Sequence, residues 1–210
     1  MSTQKNKKHL NKINIFTLGD PAVGKTSYIL RFCKNEFQNF YIATIGFDFS
    51  FKNVKLSNGE TIKIYFHDTA GQEKYRSIAY NMIKNADALL LMYDISKKET
   101  FTNIDTWIYS IKQQKGMDFP IVLIGNKCDL EDERQVQTVE GLEKAKKYQI
   151  NFFESSNKKK INIDEPVICL LKQLFNYNNE ENLQKVDTFE LNKENIENYD
   201  INNNKNECNC

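Results

Sequence analysis

The residue types best suited to chemistry stand together early in the chain, in Gly19-Asp20-Pro21-Ala22-Val23-Gly24-Lys25-Thr26. This stretch fits the pattern Gly-x-x-x-x-Gly-Lys-Thr and lies between an apolar run and a run with helical periodicity. In that setting, successive backbone N–H groups and the N-terminus of the helix can surround a phosphate. Lys25 would neutralise the β- and γ-phosphate oxygens as a catalytic group, and Thr26 would bind Mg²⁺. The stretch therefore predicts a loop for nucleotide phosphates, the phosphate loop, formed by Asp20, Pro21, Ala22, Val23, Gly24, Lys25 and Thr26.

A second polar stretch, Asn126-Lys127-Cys128-Asp129, follows another apolar run. The Asp129 carboxylate can accept hydrogen bonds from N1 and N2 of guanine, which are donors that adenine lacks. Lys127 can lay its aliphatic stem along the ring, and Asn126 can tie the stretch to the phosphate loop. Taken alone, this stretch could equally be an ordinary polar turn, but beside a phosphate loop it predicts a preference for guanine.

A third stretch, Asp68-Thr69-Ala70-Gly71-Gln72-Glu73, ends an apolar run. Asp68 could hold Mg²⁺ through a water, and Gly71 allows the backbone to approach a γ-phosphate. Gln72 stands where an attacking water must be oriented, which makes it the second predicted catalytic residue. Thr44 could supply another hydroxyl to the metal, although read alone it is better explained as the start of a strand.

The pattern of apolar runs indicates the elements that must position these residues. Runs rich in β-branched and aromatic residues predict buried strands at 13–18, 62–66, 88–93 and 120–124, with a shorter one at 150–153. Helical periodicity appears between them at 26–33, 100–113, 139–148 and 164–175. Asn58-Gly59 between alternating segments predicts a hairpin of 47–56 with 60–66. We expect an α/β fold with a doubly wound, six-stranded, mostly parallel sheet and one antiparallel edge strand.

Composition limits the other possibilities. The 210 residues suit one α/β domain, and a net charge of +1 leaves no broad positive field for nucleic acid. Met1 to Lys12 is polar and basic without an apolar core, so no signal peptide is expected, and because no later apolar run approaches transmembrane length, no membrane span is expected either. The five cysteines, three far apart and two close together at 208 and 210, suit neither a disulfide scaffold nor a zinc site, which favours the cytosol. We predict a flexible N-terminus at 1–9, a folded domain at 10–177 and a disordered tail at 178–210.

These stretches occur in one order, and from about 13 to 175 the sequence resembles the Ras-like small GTPases, specifically the Rab family. Thr44-Ile45-Gly46-Phe47-Asp48-Phe49 is Rab-like, and Glu154-Ser155-Ser156-Asn157-Lys158 resembles the fifth guanine-binding loop of the family, usually Glu-Thr-Ser-Ala-Lys. Cys208-Asn209-Cys210 resembles a double geranylgeranylation signal. The resemblance implies the P-loop GTPase fold. It also implies nucleotide contacts from Ser27, Phe37 at the guanine edge, Tyr41 over the phosphates, Ser156, Asn157 and Lys158.

The resemblance further implies a switch that binds GTP or GDP with Mg²⁺, hydrolyses GTP slowly and recruits effectors in vesicle traffic. Expected partners are a guanine nucleotide exchange factor, a GTPase-activating protein, a prenylation escort and a carrier of the GDP-dissociation-inhibitor type. Prenylated Cys208 and Cys210 would anchor a monomer to the cytoplasmic face of an intracellular or plasma membrane, with a carrier-bound cytosolic pool.

Several positions depart from the family pattern. Pro21 and Ala22 replace residues that are often Ser-Gly, and Asn157 stands where alanine is usual, a change from which little effect is expected. His67 and Met82 replace two of three effector-facing aromatic residues, with Phe49 retained. An alternative function is therefore a GTP-holding membrane adaptor with negligible hydrolysis. An ATP-using P-loop kinase or motor is disfavoured by Asp129 and by the lack of any lid or acceptor segment.

Overall fold

Six strands form one sheet in the computed structural model, which describes residues 12–37, 47–55, 61–69, 83–116 and 118–175. The sheet order is β2-β3-β1-β4-β5-β6. All neighbouring strands are parallel except β2, which is antiparallel to β3 with Lys55 opposite Thr61. This confirms the predicted sheet, although the proposed hairpin turn lies outside the described residues. The strands are β1 Lys12–Leu18, β2 Phe47–Lys55, β3 Thr61–Thr69, β4 Ala88–Asp94, β5 Ile121–Asn126 and β6 Asn151–Ser155.

Five α-helices within the described ranges connect and cover the strands. The helices are α1 Lys25–Lys34, α2 Lys98–Thr102, α3 Ile104–Lys115, α4 Thr138–Tyr148 and α5 Glu165–Leu174, with a short 3₁₀ turn at Glu131–Glu133. None of these helices is long and apolar enough to cross a membrane.

The single helix predicted at 100–113 is wrong in one respect, because it is interrupted at Asn103. The Asn103 backbone keeps near-helical dihedral angles, with φ −67° and ψ −15°. Its side-chain amide donates to Asp20 Oδ2 at 2.6 Å. Asparagine side chains readily hydrogen-bond to groups outside a helix, and here that bond joins the interruption to the phosphate loop.

Strands β4 and β5 are buried along their whole length, as expected of a sheet covered on both faces. One core cluster packs α1 and α5 against one face, with Tyr28, Phe66 and Leu170 among its members. The other packs α3 and α4 against the opposite face, around Trp107 and Ile108. The sheet is therefore doubly wound, and its carboxyl edge stays open for the loops that carry the candidate site.

Candidate functional site

The phosphate loop connects β1 to α1 in a conformation that needs positive φ at Gly19, Ala22 and Gly24. A Cβ on Gly19 would lie 2.1 Å from the Met92 carbonyl oxygen, so the loop approaches β4 too closely for a side chain. Gly24, with φ 101°, directly precedes α1, whose first N–H groups therefore face the loop. Ala22 holds φ 62° without the freedom of a glycine. This geometry presents the backbone to an anion, as the motif predicts.

Lys25 lies inside the phosphate loop and is only 5% exposed. Its Nζ donates to the carbonyl oxygens of Gly19 at 3.0 Å and Asp20 at 2.7 Å. Burial lowers the pKa of Lys25 to about 8, against the opposing attraction of Asp68 and Asp20. A phosphate beside this ammonium would offset the cost of its burial and raise the pKa again.

Thr26 and Asp68 bring a hydroxyl and a carboxylate together beside the phosphate loop. Thr26 Oγ1 donates to Asp68 Oδ2 at 2.5 Å, and Asp68 is buried near the end of β3. Two hard oxygen donors side by side fit the ligand preference of Mg²⁺. The third predicted metal residue, Thr44, lies outside the described residues.

The stretch predicted to read guanine, Asn126 to Asp129 (the guanine stretch), begins at the end of β5 and is tied to the phosphate loop. Asn126 Nδ2 donates to the Val23 carbonyl oxygen at 2.8 Å, so the expected tie is present. Lys127 Nζ lies 2.6 Å from Asp94 Oδ2, and its φ of 69° turns the chain sharply after the strand. Asp129 Oδ1 accepts a hydrogen bond from Ser156 Oγ at 2.5 Å. The carboxylate proposed to read the base is therefore held by Ser156, which directly follows β6.

The fifth loop, Ser156 to Lys158, is fastened to α1 and the phosphate loop by contacts that sequence reasoning missed. Asn157 Nδ2 donates to the Gly24 carbonyl oxygen at 2.9 Å. Arg31 of α1 donates from Nε to the Asn157 carbonyl oxygen at 2.8 Å and from one terminal nitrogen to that of Lys158 at 3.3 Å. The Arg31 guanidinium also lies 5.6 Å from the centre of the Phe37 ring. Phe37 is therefore beside the loop that the resemblance assigns to guanine.

Asp20 was predicted as a phosphate-loop residue, but its side chain points to α3. Its Oδ2 accepts from Asn103 Nδ2 at 2.6 Å, and its Oδ1 accepts from Trp107 Nε1 at 3.1 Å. Ser27 follows Thr26 in the first turn of α1. The remaining predicted site residues lie outside the described residues: Tyr41, Thr44, Gly71, Gln72, Cys208 and Cys210.

The surface formed by β2 and β3 carries two of the three positions where effector-facing aromatic residues are expected, Phe49 and His67. Phe49 is 62% exposed and pairs across β2 and β3 with His67. The His67 ring stacks on Phe16 with 4.1 Å between centroids, and its Nε2 lies 3.1 Å from Asn14 Oδ1. His67 is therefore packed into the sheet surface beside an exposed phenylalanine.

A buried ion pair anchors Glu154, the first residue of the stretch that resembles the fifth guanine-binding loop. Arg134 forms two hydrogen bonds with the Glu154 carboxylate, at 2.7 and 2.9 Å, and the two side chains are 5% and 3% exposed. Hydrogen bonding to Glu154, and then to Glu131, raises the pKa of the Arg134 guanidinium. Sequence reasoning missed Arg134, because it lies in a polar turn with no motif around it.

Glu154→Ala should lower the free energy of unfolding by about 3–5 kcal/mol, because it leaves the Arg134 charge without its buried partner. Urea denaturation measures this change directly. The control is Glu131→Ala, which removes the exposed partner of the same arginine and should cost at most about 1 kcal/mol. Equal losses in the two variants would show that the buried pair has no special role.

Comparisons with known proteins agree with this geometry. The sequence profile of the Ras family matches residues 14–176. Rab-13 of Canis lupus familiaris is 39% identical over 166 residues, which cover 79% of this chain and 80% of the relative. The GTP-binding protein ypt2 of Schizosaccharomyces pombe is 38% identical over 162 residues, covering 77% and 80%. Rab-10 of Diplobatis ommata is 37% identical over 183 residues, covering 87% of each chain.

These matches confirm the predicted family, and with it the predicted activity and nucleotide. They do not favour the adaptor alternative with negligible hydrolysis. The described sheet has six strands, mostly parallel with one antiparallel edge strand, as the P-loop GTPase prediction required. The chain belongs to the Ras family and, within it, to the Rab small GTPases, which hydrolyse GTP to GDP and act as switches in vesicle traffic.

Proposed function

We propose that this GTPase holds its nucleotide with Mg²⁺ on the loops at the carboxyl edge of the sheet. The observation that carries the proposal is the hydrogen bond from Asn126 Nδ2 to the Val23 carbonyl oxygen. It joins the guanine stretch after β5 to the phosphate loop after β1, across β4. One bound molecule with a base at one end and phosphates at the other suits this pair of loops.

Asp129 would select guanine, and Lys127 would flank the ring with its aliphatic stem. At the other end of the molecule, the N–H groups of the phosphate loop and the Lys25 ammonium would bind the β- and γ-phosphates. Ser156 supports the base-reading role, because its hydroxyl already donates to the Asp129 carboxylate and keeps it in place.

Thr26, Thr44 and, through a water, Asp68 would hold Mg²⁺. When bound, the ion supplies charge neutralisation at the β- and γ-phosphate oxygens. The 2.5 Å contact between Thr26 Oγ1 and Asp68 Oδ2 supports this assignment, since it places two of the three donors within reach of one small ion.

Gln72 would orient the attacking water, and the Gly71 backbone would meet the γ-phosphate. Loss of that phosphate would release the segments around Thr44 and Gln72, which gives two states for partners to distinguish. Exchange factors, activating proteins and effectors would act on those segments. Because His67 replaces an aromatic residue expected by resemblance, the effectors would differ from those of typical family members.

Cys208 and Cys210 would carry prenyl groups that hold the protein on the cytoplasmic face of an intracellular membrane. A single lipid chain binds a bilayer only marginally, so two adjacent modified cysteines suit stable anchoring that an escort or carrier protein can still reverse.

Gln72→Leu should slow single-turnover GTP hydrolysis by at least about tenfold, since leucine cannot orient the water. The purified protein is loaded with GTP and Mg²⁺, and phosphate release is followed in the wild type and the variant. Gln135→Leu is the matched control: Gln135 accepts from the Lys98 backbone at the surface, so its loss should leave the rate unchanged.

Equal rates in wild type and Gln72→Leu would remove Gln72 from its assigned role. Pro21→Ser belongs in the same series, because Pro21 lacks the N–H that serine would offer to the phosphates. A faster rate in that variant would identify the proline as a brake on hydrolysis.

A further inference from the structure

We propose that Asn157 is a positioning residue that slows nucleotide release, because its side-chain amide joins the fifth loop to the phosphate loop. The inference rests on the proposed nucleotide site and adds to it a residue that controls how long the nucleotide stays bound. Alanine is expected at this position by resemblance, and alanine could not make the contact.

The contact is part of a paired arrangement of two amides. Asn126 Nδ2 donates to the Val23 carbonyl oxygen at 2.8 Å, and Asn157 Nδ2 donates to that of Gly24 at 2.9 Å. A Cβ on Gly24 would lie 2.3 Å from the first amide nitrogen and 2.9 Å from the second. The guanine stretch and the fifth loop therefore hold two adjacent carbonyls of the phosphate loop. Gly24 lies between the two amides, where there is no room for a side chain.

The backbone of the fifth loop is held independently of the Asn157 side chain. Arg31 Nε donates to the Asn157 carbonyl oxygen at 2.8 Å, and a terminal nitrogen of Arg31 donates to that of Lys158 at 3.3 Å. Shortening the Asn157 side chain should therefore leave the loop in place on α1. Only its connection to the phosphate loop is lost.

The amide contributes little to folding, which separates its effect on the nucleotide from an effect on stability. The Gly24 carbonyl oxygen also accepts the Tyr28 N–H at 2.9 Å, so it keeps a partner when Asn157 is replaced. Asn157 is 4% exposed, and within the described residues its Oδ1 accepts no hydrogen bond. The cost of that unpaired acceptor offsets the gain from the amide donor.

A nucleotide can leave only when both its base and its phosphates lose their contacts. Ser156 of the fifth loop holds Asp129, and Asn157 of the same loop holds the carbonyl that directly precedes α1. Because one short loop carries both contacts, this loop can move away from the base only if the Asn157 bond to the phosphate loop breaks as well. The bond therefore adds to the barrier for release.

Dissociation of a fluorescent GDP analogue tests the proposal on the full chain. Asn157→Ala should release GDP about fivefold faster than wild type, the equivalent of one net hydrogen bond. Asn157→Asp keeps the shape but removes the donor, so it should be at least as fast. The association rate should not change, and the ratio of release rates should persist after EDTA removes Mg²⁺, because the contact involves no metal ligand.

Asn162→Gly is the matched control. Asn162 donates its amide to the Glu154 carbonyl oxygen at 2.7 Å instead of to the phosphate loop, and glycine accepts its φ of 48°. Its release rate should equal that of wild type. Normal GDP binding with unchanged or slower release in Asn157→Ala overturns this inference alone, whereas a wild type that fails to bind GDP overturns the proposed site as well.

Discussion

Asp129→Asn is expected to weaken GDP binding by at least about 100-fold, since two charge-assisted hydrogen bonds of about 1.5–3 kcal/mol each are lost or replaced by a clash of donors. The asparagine oxygen can still accept from Ser156 Oγ, as Asp129 does at 2.5 Å, so the loop should keep its shape. Its amide nitrogen would face the N1–H and N2–H donors of guanine. The same nitrogen can donate to the carbonyl that xanthine carries in place of the guanine amino group.

Competition between GDP and xanthosine diphosphate for the purified variant measures this exchange of preference. The control is Asp132→Asn, which makes the same chemical change at an exposed position in the 3₁₀ turn and should bind GDP like wild type. If Asp129→Asn kept its GDP affinity and gained none for xanthosine diphosphate, Asp129 would not be the residue that reads the base.

Lys25→Met is expected to lower GDP affinity by about 100-fold or more, through loss of the charge-assisted hydrogen bonds to phosphate. The substitution should also remove the dependence of GDP affinity on pH that the wild type shows near pH 8. Burial lowers the pKa of Lys25 to about 8 in the protein without nucleotide, and a bound phosphate raises it. The complex therefore holds more protons than the free protein above pH 8, so wild-type affinity should fall as the pH rises through that value.

Calorimetric titration of GDP near pH 9, in two buffers of different ionisation enthalpy, reports the proton taken up on binding. Wild type should take up a proton that Lys25→Met does not. Lys34→Met, at the exposed end of the same helix, should behave as wild type in both affinity and proton uptake. Identical proton uptake in Lys25→Met and wild type would place the titrating group elsewhere.

The sequence was sufficient wherever a structural rule acts over a few neighbouring residues. The phosphate loop could be recognised because its glycines, lysine and threonine must follow one another for the backbone to surround a phosphate. Strands β4 and β5 could be recognised because burial on both faces demands a continuous apolar run. The alternation of strands and helices along the chain predicts parallel strands, so the candidate loops after β1, β3 and β5 lie at one edge of the sheet.

The same local rules misread the helix at 100–113, because they cannot include a partner far away in the chain. The interruption at Asn103 accompanies a hydrogen bond to Asp20 in the phosphate loop. The boundaries of β5 and β6 differ from the predicted ones for a similar reason. Both strands extend into polar residues, Asn126 and Ser155, that pair with each other across the sheet.

The sequence by itself determined the family, the fold and the identity of the residues that could bind phosphate, guanine and magnesium. The tertiary structure alone decided how those residues are held: Asn157 on Gly24, Asp20 on Trp107 and Arg134 on Glu154. Such contacts join segments that are distant in sequence. They depend on the direction of a side chain after the sheet and helices have packed, and no spacing rule along the chain encodes that direction.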